Sequence, residues 1–116
     1  MKILVLVNDP PYGTERCYNA LRLAGSLAKR DDADVRVFLM GDAVGCAMAG
    51  QVLPNGYYHL DRMLGSALRH GAQVGLCGTC MDARAIDVGE IVEGARRSSL
   101  EELSDWTLWA DKVVTF

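Results

Sequence analysis

The chain opens on an apolar run, Ile3 to Val7, of leucine and β-branched residues with no polar alternation. Strands buried on both faces of a parallel sheet have this pattern, so a first strand is predicted over Lys2 to Val7. A turn follows at Pro10 to Gly13, after which Thr14 is a candidate helix cap and Glu15 falls where the helix dipole favours negative charge. Cys17, Ala20, Leu21, Ala24, Leu27 and Ala28 then share one helical face, and Lys29-Arg30 suits a helix end. Val35 to Met40 is a second strand closed by Gly41-Asp42, with Asp42 expected to cap a short helix ending at Gly50. Gln51 to Gly56 contains Pro54 and is expected to be a loop. Beyond it Tyr57, Leu60, Leu64, Ala67 and Leu68 recur at helical spacing up to the stop signal Arg69-His70-Gly71.

Ala72 to Leu76 is the third strand, and Cys77-Gly78-Thr79-Cys80 follows it directly. Val88 to Val92 is the candidate for a fourth. Ser98 with Glu101, or Ser99 with Glu102, has capping-box spacing ahead of Leu100, Leu103, Trp106 and Ala110, while Trp109 falls off that face. Lys112 to Phe116 supplies the last strand. Strands alternating with helices imply right-handed crossovers, hence an α/β fold: a three-layer α/β/α sandwich on a mostly parallel sheet of about five strands. At 116 residues the chain is expected to form a single domain over 1–116.

Composition narrows the chemistry. Half the residues are hydrophobic and 23% are charged, the balance of a chain with a packed core. A net charge of -3 offers no basic face for a phosphate backbone, so no nucleic-acid partner is expected. No apolar run approaches the roughly 20 residues that span a bilayer, so the protein is expected in the cytoplasm without a membrane partner. Four cysteines in a reducing compartment point to catalysis, metal binding or simple burial ahead of a disulfide framework.

In an open parallel sheet, ligands bind beyond the carboxyl ends of the strands. Those ends carry Asn8 to Tyr12, Gly41-Asp42, and Cys77 to Cys80, which makes Asn8, Tyr12 and Asp42 candidate substrate-binding residues beside the cysteine pair. Cys77 ends its strand, and Thr79 to Ala85 has the composition of a helical turn. Amides and a nearby cation lower a thiol pKa, and Arg84 is the candidate cation, with Asp82 opposing it. A C-x-x-C alone fits a redox dithiol, half a zinc site, a persulfide carrier or two inert core residues. Zinc is the weakest of these, because a closed site needs four ligands and only isolated Cys17, Cys46, His59 and His70 accompany the pair. Cys17 and Cys46 occupy core-facing helical positions and read as small hydrophobes, and the two histidines as a helix surface and a helix end. Neither a dinucleotide fingerprint nor a P-loop occurs, and no cofactor or metal is called for.

With these residues in place the chain resembles the DsrE/DsrF-like family of small sulfur-metabolism proteins, which includes the TusD-type relay subunits. The resemblance runs from the Lys2 to Asn8 strand through Gly41-Asp42, the Tyr57 to Gly71 helix and the ending Trp106 to Phe116; its specific part is Cys77-Gly-Thr-Cys-Met-Asp-Ala-Arg84. It implies trimers or hexamers, or hetero-oligomers with related subunits, and a persulfide on the cysteine after the third strand, here Cys77. Sulfur-donor and sulfur-acceptor proteins would be the partners. Ala85 departs from the family, standing where relatives often have Gly after the Arg, and a second cysteine at Cys80 is not required by the relay subunits. The leading expectation is a sulfurtransferase or sulfur carrier, with Cys77, Cys80 and Arg84 as the catalytic candidates. The alternatives are a non-catalytic assembly subunit and a Cys77/Cys80 dithiol-disulfide switch.

Overall fold

The computed structural model describes residues 1–116. Five parallel strands form one sheet: β1 (Lys2–Val7), β2 (Asp34–Leu39), β3 (Gln73–Cys77), β4 (Arg96–Ser98) and β5 (Lys112–Thr115), in the order β4-β3-β2-β1-β5. Helix α1 (Arg16–Ala28) connects the first two strands. A 3-10 segment, Gly41–Ala47, and α2 (Leu60–Arg69) lie between β2 and β3, and α3 (Gly78–Ala83) leaves the end of β3 without a break. Helix α4 (Leu100–Trp109) carries the chain from β4 to β5. Since those are opposite edges of the sheet, α4 must cross a whole face.

Alternate residues of a strand point to opposite faces, which divides the core in two. Ile3, Val5, Val7, Val37, Leu39, Val74 and Leu76 pack with α1, α2, the 3-10 segment and Met81 of α3. Leu4 and Phe38 face the other way, onto Leu103 and Trp106 of α4, with Trp106 meeting Phe38 edge-on at 6.0 Å between ring centroids. One face therefore carries several helical segments and the other a single helix. The in-register pairing Val5↔Val37 and Leu39↔Leu76 keeps the larger core continuous across three strands.

Several local expectations are corrected. Residues 88–92 form no strand: Val88–Glu90 is a 3-10 turn closed by reciprocal hydrogen bonds between Asp87 and Glu90, and the fourth strand is Arg96–Ser98. Glu15 holds the cap position of α1 but makes no side-chain cap bond; the Thr14 hydroxyl accepts from the first helical amide, that of Arg16, at 3.3 Å and donates to the Asp9 carboxylate at 3.0 Å. Met40 precedes the 3-10 segment, so Asp42 lies inside it, and the segment ends at Ala47. Tyr57 is outside α2 and exposed. Of the two capping-box candidates, Ser99 caps α4 by accepting from the Glu102 amide, while the Glu102 carboxylate turns to Ser98 and Arg96. Trp109, off the core face of α4, is half-buried, with the Arg36 guanidinium 3.8 Å from its ring centroid. Cys17 and Cys46 are fully buried with their sulfurs in contact, and their Cα atoms are 7.6 Å apart, wider than the span of an ordinary disulfide.

Candidate functional site

The Cys77 site begins with a change of backbone. Cys77 is both the last residue of β3 and the residue that caps α3, so its side chain stands beside the first free amides of a helical turn. The Cys80 amide donates to Cys77 Sγ at 3.4 Å, and Thr79 Oγ1 lies 3.3 Å from the same sulfur. Burial alone raises the Cys77 thiol. Hydrogen bonds from the Cys80 and Thr79 side chains, and from the amides of the same two residues, outweigh it and leave the thiol below its ordinary value. This is the direction that increases the thiolate fraction, and the thiolate is the nucleophile.

Cys80 is pushed the other way. Burial raises its thiol, the neighbouring Cys77 raises it further, and the opposing Gly41 amide and Arg84 charge do not reverse the result. The Gly41 amide reaches Cys80 Sγ at 3.2 Å. Gly41 has φ of 58°, a left-handed conformation natural to glycine, which turns the chain after β2 toward α3. The pair thus divides into a favoured thiolate at Cys77 and a retained thiol at Cys80, two groups whose titrations belong to the pair.

Arg84 does not stand over Cys77 as expected. Its Nε and Nη2 donate to Asp42 Oδ1 at 2.9 and 2.7 Å, and Nη1 donates to the Cys80 carbonyl at 3.0 Å. It ties α3 to the 3-10 segment and acts on Cys80. Asp42 is consequently engaged within the chain. Asn8 is likewise engaged: its amide and side chain both donate to the Phe116 carbonyl, at 2.8 and 3.4 Å. This bridge closes the gap between the β1 and β5 ends, where the direction of strand addition reverses. Tyr12 lies apart from the cysteines. Its hydroxyl bonds Gln51 and accepts from the Leu60 amide at 3.1 Å, and its ring stacks toward Tyr58. His59 and His70 bond the Gln51 and Ser66 carbonyls.

The space beside Cys77 opens on the other side, toward β4 and α4. A cavity of about 460 Å³ is lined by Cys77, Thr79 and Arg97, with Phe38, Met40 and Leu103 as its apolar wall. Sequence reading missed Arg97, because the strand that carries it was placed several residues too early. No helix is long and apolar enough to cross a membrane.

A family comparison bears on this arrangement. The model of the DsrE/DsrF-like family matches residues 1–116, the cysteine segment included. The chain belongs to the DsrE/DsrF-like family. That family is associated in general with sulfur relay. Among its relatives is protein YchN of Escherichia coli strain K12, 41% identical over 116 residues, covering 99% of this chain and 98% of YchN. Protein MJ0989 of Methanocaldococcus jannaschii is 34% identical over 116 residues, the full length of both chains. The crystal structure of the Escherichia coli ychN protein superposes with a TM-score of 0.93 over 100% of this chain and 99% of that one. A Methanobacterium thermoautotrophicum protein of unknown function, MTH1491, shares the fold with a TM-score of 0.76 at 10% identity.

Proposed function

We propose that this protein is a sulfur carrier that holds sulfane sulfur as a persulfide on Cys77. The observation that carries the reading is the setting of Cys77 at the end of β3, where its sulfur accepts from the Cys80 amide at 3.4 Å, lies 3.3 Å from Thr79 Oγ1 and lines the cavity beside β4 and α4. In the loading step the Cys77 thiolate attacks the outer sulfur of a donor R–S–SH. A new S–S bond forms to Cys77 as the donor's S–S bond breaks, giving Cys77–S–SH and R–S⁻ with no external oxidant. Delivery repeats the exchange with an acceptor thiolate. The donor and acceptor are read as protein cysteines, the compartment as the cytoplasm, and the working form as a homo-oligomer or an assembly with related subunits. The chemistry asks for no metal or cofactor.

Intact mass after incubation with excess glutathione hydropersulfide tests this. Wild type and Cys80→Ser are expected to gain one sulfur atom, and Cys77→Ser none. Full loading of Cys77→Ser would overturn the assignment. A second reading rests on the nearness of Cys80, whose backbone amide donates to Cys77 Sγ at 3.4 Å: attack of the Cys80 thiolate on the inner sulfur of Cys77–S–SH would release hydrosulfide and leave a disulfide. Loss of two hydrogens in place of the sulfur gain identifies that route, and Cys80→Ser should then lengthen the persulfide's lifetime.

A further inference from the structure

The residue between Cys77 and Thr79 has no side chain, and the space this leaves is filled from another strand. A methyl group on Gly78 would stand 2.8 Å from Arg97 Cζ and 2.9 Å from Nε and Nη2, closer than non-bonded atoms allow. The Arg97 guanidinium therefore lies flat against the backbone beside Cys77, where a glycine is the residue that permits it. Its placement follows from register: β4 pairs with β3 so that Leu76 faces Arg97 and Cys77 faces Ser98. The guanidinium is fixed by two bonds to the Asp82 carboxylate, at 2.7 and 3.0 Å. That bidentate grip on α3 holds a planar cation in one orientation. Arg97 also lines the cavity that Cys77 opens into.

We infer that Arg97 is the positioning cation of the Cys77 site, reaching from edge strand β4 across Gly78 to stabilise the sulfur anion on Cys77. The inference rests on the carrier reading for its purpose, though not for its geometry. A loaded Cys77–S–SH gives up its proton more readily than a thiol, because its terminal S–H bond is weaker and the neighbouring sulfur withdraws charge. The resulting Cys77–S–S⁻ sits in a half-apolar cavity that holds Arg97. The charged and titratable groups around it sort into pairs. Cys80 shares α3 with Cys77. Arg84 is taken by Asp42, and Arg96 by Glu102. Arg97 is held by Asp82, which leaves its remaining face for the sulfur. The Asp82 charge moderates the effect of Arg97, as does its partial exposure, with 44% of the Arg97 side chain open to solvent.

The test is the pH dependence of Cys77 alkylation by iodoacetamide, followed on the Cys77 peptide by mass spectrometry. Arg97→Gln is expected to move the midpoint upward by about half a unit, the low side of what a cation within a few ångström does. Arg97→Lys, which keeps the charge, should recover most of the shift. Gly78→Ala keeps Arg97 but displaces it, and should shift the midpoint in the same direction. Arg84→Gln should move Cys77 less than Arg97→Gln does. An unchanged midpoint in Arg97→Gln, or a larger shift in Arg84→Gln, would overturn the inference. Persulfide loading separates the two claims. If wild type gains no sulfur while Arg97→Gln still shifts the midpoint, the carrier reading fails and the assignment of Arg97 stands.

Discussion

Ala85 is strained where a glycine would not be. It has φ of 54°, in the left-handed region, and it immediately follows Arg84, the cap of α3. The Ala85 amide donates to the Asp82 carbonyl at 3.1 Å and the Ile86 amide to Met81 at 3.0 Å. This is the paired bonding of a helix ended by a left-handed residue, a position where glycine is usual. For an L-residue the conformation costs about 1–2 kcal/mol, and glycine's larger loss of backbone entropy gives back about 0.5–1 kcal/mol of that. Ala85→Gly should therefore stabilise the protein by roughly 0.5 kcal/mol or more, read as a rise of a few degrees in melting temperature. A lowered melting temperature would contradict the account. The alanine after Arg84 is visible in sequence, but its cost is not, since φ at one residue is fixed only once the helix end is placed. Arg84 shows the same limit. Its proximity to Cys77 along the chain suggested one partner, whereas a side chain of that reach found Asp42, 42 residues away.

Periodicity located the elements that bury a face and failed for the one that does not. β1, β2 and β3 were legible because apolar strands between two layers read as continuous hydrophobic runs. β4, Arg96–Ser98, is three residues at the sheet edge, with two arginines and a serine, and it is a strand only because β3 pairs with it. The apolar residues Val88, Ile91 and Val92 drew the expectation instead, and they belong to a 3-10 turn and a loop. What holds so polar a strand is its tie to the next helix. Glu102 of α4 bonds Arg96 at 2.6 Å and accepts from the Ser98 hydroxyl. The Arg96 hydrogen bond, followed by that of Ser98, draws the Glu102 carboxyl below its ordinary value against the effect of burial. A carboxyl lowered on folding contributes stability that is complete above its unfolded pKa of about 4.3 and is lost as pH falls through the folded value. Wild type should thus melt higher than Glu102→Gln at pH 7, with the gap closing below about pH 4. A gap that persists undiminished in acid would show that packing, not charge, holds the strand. Because β4 carries Arg97, the same variant should also raise the mobility of the cation beside Cys77.

The two faces of the sheet are covered unequally, and this bears on assembly. α1, α2, α3 and the 3-10 segment enclose one face. On the other, α4 runs alone from edge to edge, leaving Leu6, Met40 and Cys77 partly open around a small core of Leu4, Phe38, Leu103 and Trp106. The outer side of that helix exposes Leu100 at 72% and Leu108 at 87%, on either side of a shallow depression that also includes Ser104 and Thr107. These leucines offer an apolar surface for the homo-oligomer proposed above, next to a Trp109 that is half-buried against Arg36. Burying an exposed leucine is worth about 1.5–3 kcal/mol, and a closed ring collects that gain at every interface. Leu108→Glu would replace it with a desolvated charge and should weaken association by roughly tenfold or more for each 1.4 kcal/mol lost. The fold should hardly change, because an exposed helical substitution away from the core usually shifts stability by less than about 0.5 kcal/mol. Light scattering at micromolar concentration is expected to find wild type as a multiple of the 12.6 kDa chain and Leu108→Glu at lower mass, with circular dichroism unaltered. A monomeric wild type would refute the assembly, and an oligomer indifferent to Leu108→Glu would move the interface off this face. The site adds a consequence, because the cavity beside Cys77 includes Leu100 and Leu103 of the same helix. A partner seated on α4 would therefore stand at the rim of the cysteine cavity, and dissociation by Leu108→Glu should change the alkylation rate of Cys77 as well as the mass.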